Sequence, residues 1–81
     1  MPCNGEMKNA PEIEKTLGDA VKAYRVANGW SQEQLSFESG LHRTYVGAVE
    51  RGEKNLTVKN LVRISLALGV SASALLSSAG L

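Results

Sequence analysis

The chain has 81 residues and a formal net charge of +1, which is room for one small domain and too little charge to commit it to any partner. Hydrophobic residues at 43% and charged residues at 21% exclude a disordered chain, and no apolar run approaches the roughly 20 residues of a membrane span. A single cysteine, Cys3, cannot form an internal disulfide, and a single histidine, His42, excludes most zinc sites and is the one residue a catalytic triad would have to use; no cofactor and no enzyme chemistry are expected.

A domain this small buries only roughly 60–65% of its unfolded surface, and helices build so thin a core most readily. Residues 1–11 hold Pro2, Asn4, Gly5, Asn9 and Pro11 without periodicity or an apolar signal core, and read as a flexible N-terminal tail ahead of one domain at 12–81. Helix one is predicted from about Glu12 to Ala27, with Ile13, Leu17, Val21 and Tyr24 as its apolar stripe and Asn28-Gly29 as its stop. Helix two starts at Ser31, where Ser31 and Gln34 have the spacing of a capping box and Trp30 can pack onto Leu35, and it ends at Gly40. Helix three runs from about His42 to Arg51 and Gly52 closes it. Helix four runs from the N-cap Thr57 to Leu68 before Gly69. A last helix runs from Ser71 to about Ser78. Period-two alternation is absent, so the expected fold is all-α, a compact bundle of five helices. Trp30 and Phe37 are assigned to its core.

The second and third helices meet at Gly40-Leu41 with almost no loop, which is the pattern of a helix-turn-helix. The turn needs a residue free to take positive φ, and Gly40 meets that need. Ser36 is small enough for a close crossing, and Val46 and Val49 form a narrow stripe opposite Leu35. The other face of helix three carries Arg43, Thr44, Gly47 and Ala48, polar or small groups that suit a DNA major groove. The stretch 42–63 also concentrates Arg43, Arg51, Lys54, Lys59 and Arg63 against Glu50 and Glu53, a basic region that can hold a nucleic acid but that charge alone assigns sooner to a solvated face.

The run Trp30-Ser31-Gln32-Glu33-Gln34-Leu35, then Gly40-Leu41, Tyr45-Val46, Glu50-Arg51-Gly52 and Leu66-Ala67-Leu68-Gly69-Val70 resembles the Cro and lambda-repressor-like (Xre-type) helix-turn-helix DNA-binding domains. The resemblance covers about Leu17 to Leu76. Arg43-Thr44-Tyr45-Val46, Glu50-Arg51 and Asn55-Leu56-Thr57 are also similar to the controller proteins of restriction-modification systems. It implies that helix three reads bases, that the start of helix two clamps a phosphate, and that Arg25 pairs with Glu50. His42 stands where the family favours a serine, threonine or aspartate cap, and Leu66 where a polar residue is common.

On this resemblance the expected partner is double-stranded DNA, bound in the cytoplasm by a homodimeric transcriptional regulator. A DNA-binding antitoxin and a protein-interaction module without DNA binding are the rival readings. Gln32 is assigned to a phosphate, with a solvated amide as the alternative. Arg43 is the base reader, through guanine O6 and N7, with a phosphate contact as the alternative. Thr44 contacts a base or caps helix three. Tyr45 meets a phosphate or packs on helix two. Gly47 permits close backbone approach or is a neutral position, and Ala48 shares its face. Arg51, Lys54 and Asn55 follow helix three toward the DNA backbone. Leu61, Ile64 and Leu68 share the core face of helix four, whereas Leu66 points away from it. A dimer through the end of helix four and helix five is therefore expected, with Leu66, Val70 and Leu75 in the interface.

Overall fold

The computed structural model describes the backbone of residues 10–81 and the side chains from Ile13 onward. Of the tail expected at residues 1–11, residues 1–9 lie outside the described residues, and Ala10 and Pro11 belong to a helix instead. Five helices follow in order: α1 (Ala10–Ala27), α2 (Gln32–Ser39), α3 (Arg43–Glu50), α4 (Val58–Leu68) and α5 (Ala72–Ser78). Helix α1 thus opens two residues before Glu12. Pro11 is its second residue, a position in the first turn that tolerates proline because helical N–H groups there have no partner within the helix.

The helix starts are fixed by side chains. Ser31 Oγ accepts from the Gln34 N–H, Thr57 Oγ1 from the Asn60 N–H and Ser71 Oγ from the Ala74 N–H, each satisfying a donor that a helix start leaves orphaned. The capping box at Ser31 is half formed, since Gln34 Nε2 turns to Glu38 Oε2 at 2.8 Å. His42 does cap α3: its Nδ1 accepts from the Thr44 N–H at 3.1 Å. An imidazole nitrogen with a lone pair does there what a hydroxyl or carboxylate does elsewhere.

The turn between α2 and α3 is held from both sides. Gly40 takes φ 74°. Ser36 Oγ donates to the Leu41 carbonyl, and Ser39 Oγ accepts from the Leu41 N–H at 3.3 Å. Leu41 reverses the chain with its backbone polar groups paired.

The core joins Leu17, Ala20 and Val21 of α1 to Leu35 of α2, Val46 and Val49 of α3, Leu61, Ile64 and Leu68 of α4, and Leu75 of α5. Trp30, Tyr24 and Tyr45 pack half-buried against it. Two expected core residues lie outside. Ile13 is 40% exposed, one turn before α1 meets its neighbours, and Phe37 is 80% exposed on the outer side of α2, away from Leu35. Helix α3 packs against both α1 and α2, so little of its circumference is left free.

Gly18 sets the closest of these approaches. A Cβ built on it would stand 2.2 Å from the Val49 carbonyl oxygen and 3.0 Å from that of Glu50, so the backbone of α1 rests on the last carbonyls of α3. Just beyond, Gly52 takes φ 78° with Lys15 Cα 2.9 Å from its would-be Cβ. Any other residue there would be strained in its backbone and would collide as well.

Candidate nucleic-acid interface

Side chains from the end of α1 and the start of α2 converge on one carboxylate at the end of α3. Glu50, at the last turn of α3, is buried at 5% exposure. Arg25 from the end of α1 donates through Nε to Glu50 Oε2 at 2.6 Å and through Nη2 to Oε1 at 3.1 Å. Arg25 Nη1 donates to the Trp30 carbonyl at 2.6 Å, just before α2. Gln32, the first residue of α2, donates Nε2 to Glu50 Oε1 at 3.0 Å. A buried charge is tolerable only when paired and hydrogen-bonded in this way. The two-pronged contact from a planar guanidinium also fixes direction. The network therefore locks the start of α2 to the end of α3.

Helix α3 offers the surface around that lock. Arg43 and Thr44 are exposed in its first turn. Tyr45 is half-buried, with its hydroxyl accepting from Asn60 Nδ2 at 3.2 Å, which ties α3 to the start of α4. The expectation for Tyr45 is a phosphate contact or packing on helix two; this hydrogen bond goes to α4 instead. Thr44 supplies the capped N–H, so the capping role belongs to His42.

Ala48 is a correction. It is 6% exposed and lies among the covered residues of α3, because α1 and α2 together hem in this eight-residue helix. It cannot belong to a reading face. Gly47 is buried too, but under side chains: a Cβ there would meet Arg51 Nη1 at 3.2 Å and Gln32 Oε1 at 3.4 Å.

Past α3, Arg51, Lys54 and Asn55 are exposed. Arg51 Nε lies 3.1 Å from Glu53 Oε2, a pair the sequence reading missed. The hydrogen bond and the charge of Glu53 raise the Arg51 pKa above its ordinary value. The legible signal was the Arg51-Gly52-Glu53 spacing, since a positive-φ glycine turns its two neighbours toward each other. Asn60 was also missed; nothing in its local pattern points to a tyrosine fifteen positions earlier.

The expected dimer residues divide. Leu66 is 72% exposed, Val70 is half-buried against the core, and Leu75 is fully buried at 0%. Leu75 is thus a core residue and not an interface residue, because α5 packs onto α1 and α4 through that side chain. Val58, Val62 and Leu66 repeat every four residues along α4, and all three are exposed, at 77%, 39% and 72%. Among the described residues no single helix is long and apolar enough to cross a membrane.

The sequence profile of the helix-turn-helix family matches residues 21–75. The chain is 47% identical over 70 residues to control protein C.SmaI of Serratia marcescens, covering 86% of this chain and 83% of that protein. The solved structure of the restriction-modification controller protein C.AhdI from Aeromonas hydrophila is similar at a TM-score of 0.75 and 40% identity, over 76% of this chain and 94% of that one. A mutant of the controller C.Esp1396I, solved bound to its highest-affinity operator site, is similar at a TM-score of 0.76 and 31% identity, over 83% of this chain and 88% of that one. With its helix pair joined at Gly40, its capped α3 and these relatives, the chain belongs to the Xre-type helix-turn-helix family of DNA-binding transcriptional regulators.

Proposed function

We propose that this regulator is a restriction-modification controller that binds a two-fold DNA operator as a homodimer, with α3 in the major groove. The observation that carries the reading is the free side of α3. It bears Arg43 and Thr44, is followed by the exposed Arg51, Lys54 and Asn55, and is flanked by Gln32 at the start of α2. Arg43 reads a base there, and Thr44 contacts a base edge or its methyl. Gln32 holds a phosphate, with one amide hydrogen committed to Glu50 and the other free to donate. Arg51, Lys54 and Asn55 follow the DNA backbone. The similarity to C.SmaI and C.AhdI supports the controller role over the antitoxin role.

One recognition helix reads only a few base pairs, so useful specificity needs two half-sites about 34 Å apart and a two-fold protein. The exposed row Val58, Val62 and Leu66 on α4 supports a self-complementary contact, with Val70 at its edge. The chain acts on DNA without catalysis and in the cytoplasm.

Selection of bound sites from random duplex DNA, followed by titration at several salt concentrations, tests the proposal. The expected result is one enriched pseudo-palindrome, with log K falling by several units per unit log salt. Binding that ignores salt, or failure to enrich any sequence, overturns it in favour of a protein-interaction module.

A further inference from the structure

Residues 43, 47 and 51 stand four apart and form one row along the outer side of α3. The row is uneven. Arg43 is exposed and the Arg51 side chain is 58% exposed, yet Gly47, which has no side chain to hide, is buried between them. Arg51 Nη1 and Gln32 Oε1 cover it, at 3.2 Å and 3.4 Å from the position a Cβ would take. Contact with an atom at the tip of the residue four later means that the Arg51 side chain runs back along α3. That is the direction in which helical side chains lean.

Each cover is held from outside the row. Arg51 Nε lies against Glu53 Oε2 at 3.1 Å. Gln32 is pinned through Nε2 to Glu50, which leaves its amide oxygen turned to Gly47. An acceptor and a cationic donor therefore flank the same gap. Gly47 is also absent from the glycines with positive φ, so its backbone would accept any residue. Glycine is a poor helix former in mid-helix, and conformational need does not explain it here. Space does.

We infer that Gly47 is a positioning residue: its missing side chain is a seat on which the Arg51 guanidinium lies beside the Gln32 oxygen, turning Arg51 onto the DNA-facing side of α3 as a second reader beside Arg43. The inference rests on the DNA-binding mode proposed above and changes one assignment within it, moving Arg51 from the DNA backbone to a base. Residues 43 and 51 are about 12 Å apart along the helix axis. Laying Arg51 back by one turn brings its charge roughly half that distance closer to Arg43, within reach of the same half-site.

The test compares wild type, Gly47→Ala, Arg51→Met and the double variant by thermal melting and by affinity for the selected operator and its single-base variants. Gly47→Ala is expected to melt at or above the wild-type temperature, since alanine is the better helix former. It is expected to bind the operator on the order of tenfold more weakly, the size of one impaired arginine contact, and to lose preference at the base position that Arg51→Met also loses. In the Arg51→Met background Gly47→Ala should change affinity by less than about twofold, because its effect passes through Arg51. Gly47→Ala binding like wild type overturns the seat. Equal losses in both backgrounds also overturn it, by making the glycine a site of backbone approach to DNA. So does a lowered melting temperature with a proportionate loss of binding. A wild-type protein that binds no DNA sinks the proposed function itself, whereas a binding wild type with an unaffected Gly47→Ala sinks the seat alone.

Discussion

The Gln32 amide donates to the Glu50 carboxylate across 3.0 Å, joining the first residue of α2 to the last residue of α3. The turn between these helices is short, but their far ends would otherwise be free to open about it. With Arg25 on the same carboxylate, the angle between α2 and α3 is fixed before any partner arrives. Such preorganisation removes ordering cost from the binding step.

Breaking that network from either side should unfold a large share of the protein. The Arg25 and Glu50 side chains are 12% and 2% exposed, so Arg25→Met strands a buried carboxylate and Glu50→Gln strands a guanidinium. Each should cost about 3–5 kcal/mol, a large fraction of what a small domain has. Urea denaturation measures the loss, and DNA affinity should fall only with the folded fraction. Variants that melt like wild type yet lose DNA would show that these side chains touch DNA themselves.

Arg43 and Gln32 should separate specificity from affinity. Arg43→Ala should cost roughly 1–3 kcal/mol on the selected operator and flatten the preference at one base position per half-site. Gln32→Ala should weaken every sequence alike. Titrations against a panel of single-base variants decide. Arg43→Ala that weakened all sequences equally would make Arg43 a phosphate contact.

Leu66 and Leu75 should behave oppositely, although both are leucines near the end of the chain. Leu66→Glu replaces a side chain that is 72% exposed, so the change in monomer stability should stay within about 0.5 kcal/mol while the dimer is lost in sedimentation. Leu75→Ala empties a fully buried site and should cost about 2–5 kcal/mol without directly altering assembly. A dimer that persists in Leu66→Glu would remove Leu66 from the interface.

The cap on α3 should be measurable by itself. His42→Ala leaves the Thr44 N–H without its side-chain partner and should cost about 1 kcal/mol in thermal or urea unfolding. His42→Ser or His42→Asp should restore most of it. If alanine costs nothing, the imidazole contact contributes no net stability.

What the sequence made legible was what neighbouring residues decide. Ser31, Thr57 and Ser71 announce helix starts, Gly40 announces the turn, and the spacing of Leu61, Ile64 and Leu68 announces a core face; the structure has all of these. The Arg25–Glu50 pair was reachable only through family resemblance, since 25 positions separate its members. Ala48 and Phe37 were misplaced because period alone cannot say how much of a short helix its neighbours will cover. Helices α2 and α3 each pack against two neighbours, but α3 buries five consecutive residues, Val46 to Glu50, Ala48 among them, whereas α2 buries only Leu35 and Ser39 and leaves Phe37 in water. Leu75 went astray for the opposite reason: counted with the other apolar residues of the C-terminal end it looked surplus, but α1 and α4 leave a space that it fills. The covering of Gly47 depends on two side chains from different segments and has no local signature at all.

The contact between Gly18 and the last carbonyls of α3 makes α1 a spacer of fixed thickness behind the reading helix. Any side chain at position 18 must push the Val49 and Glu50 backbone away, and α3 is lifted or tilted as a unit because its own hydrogen bonds are stiffer than its packing. In the proposed binding mode, how deeply α3 would reach into a groove is thereby set from its rear. A genetic screen scored only by operator occupancy would recover substitutions at Gly18 alongside those at Arg43, and a footprint of the protein on DNA would give no hint of why.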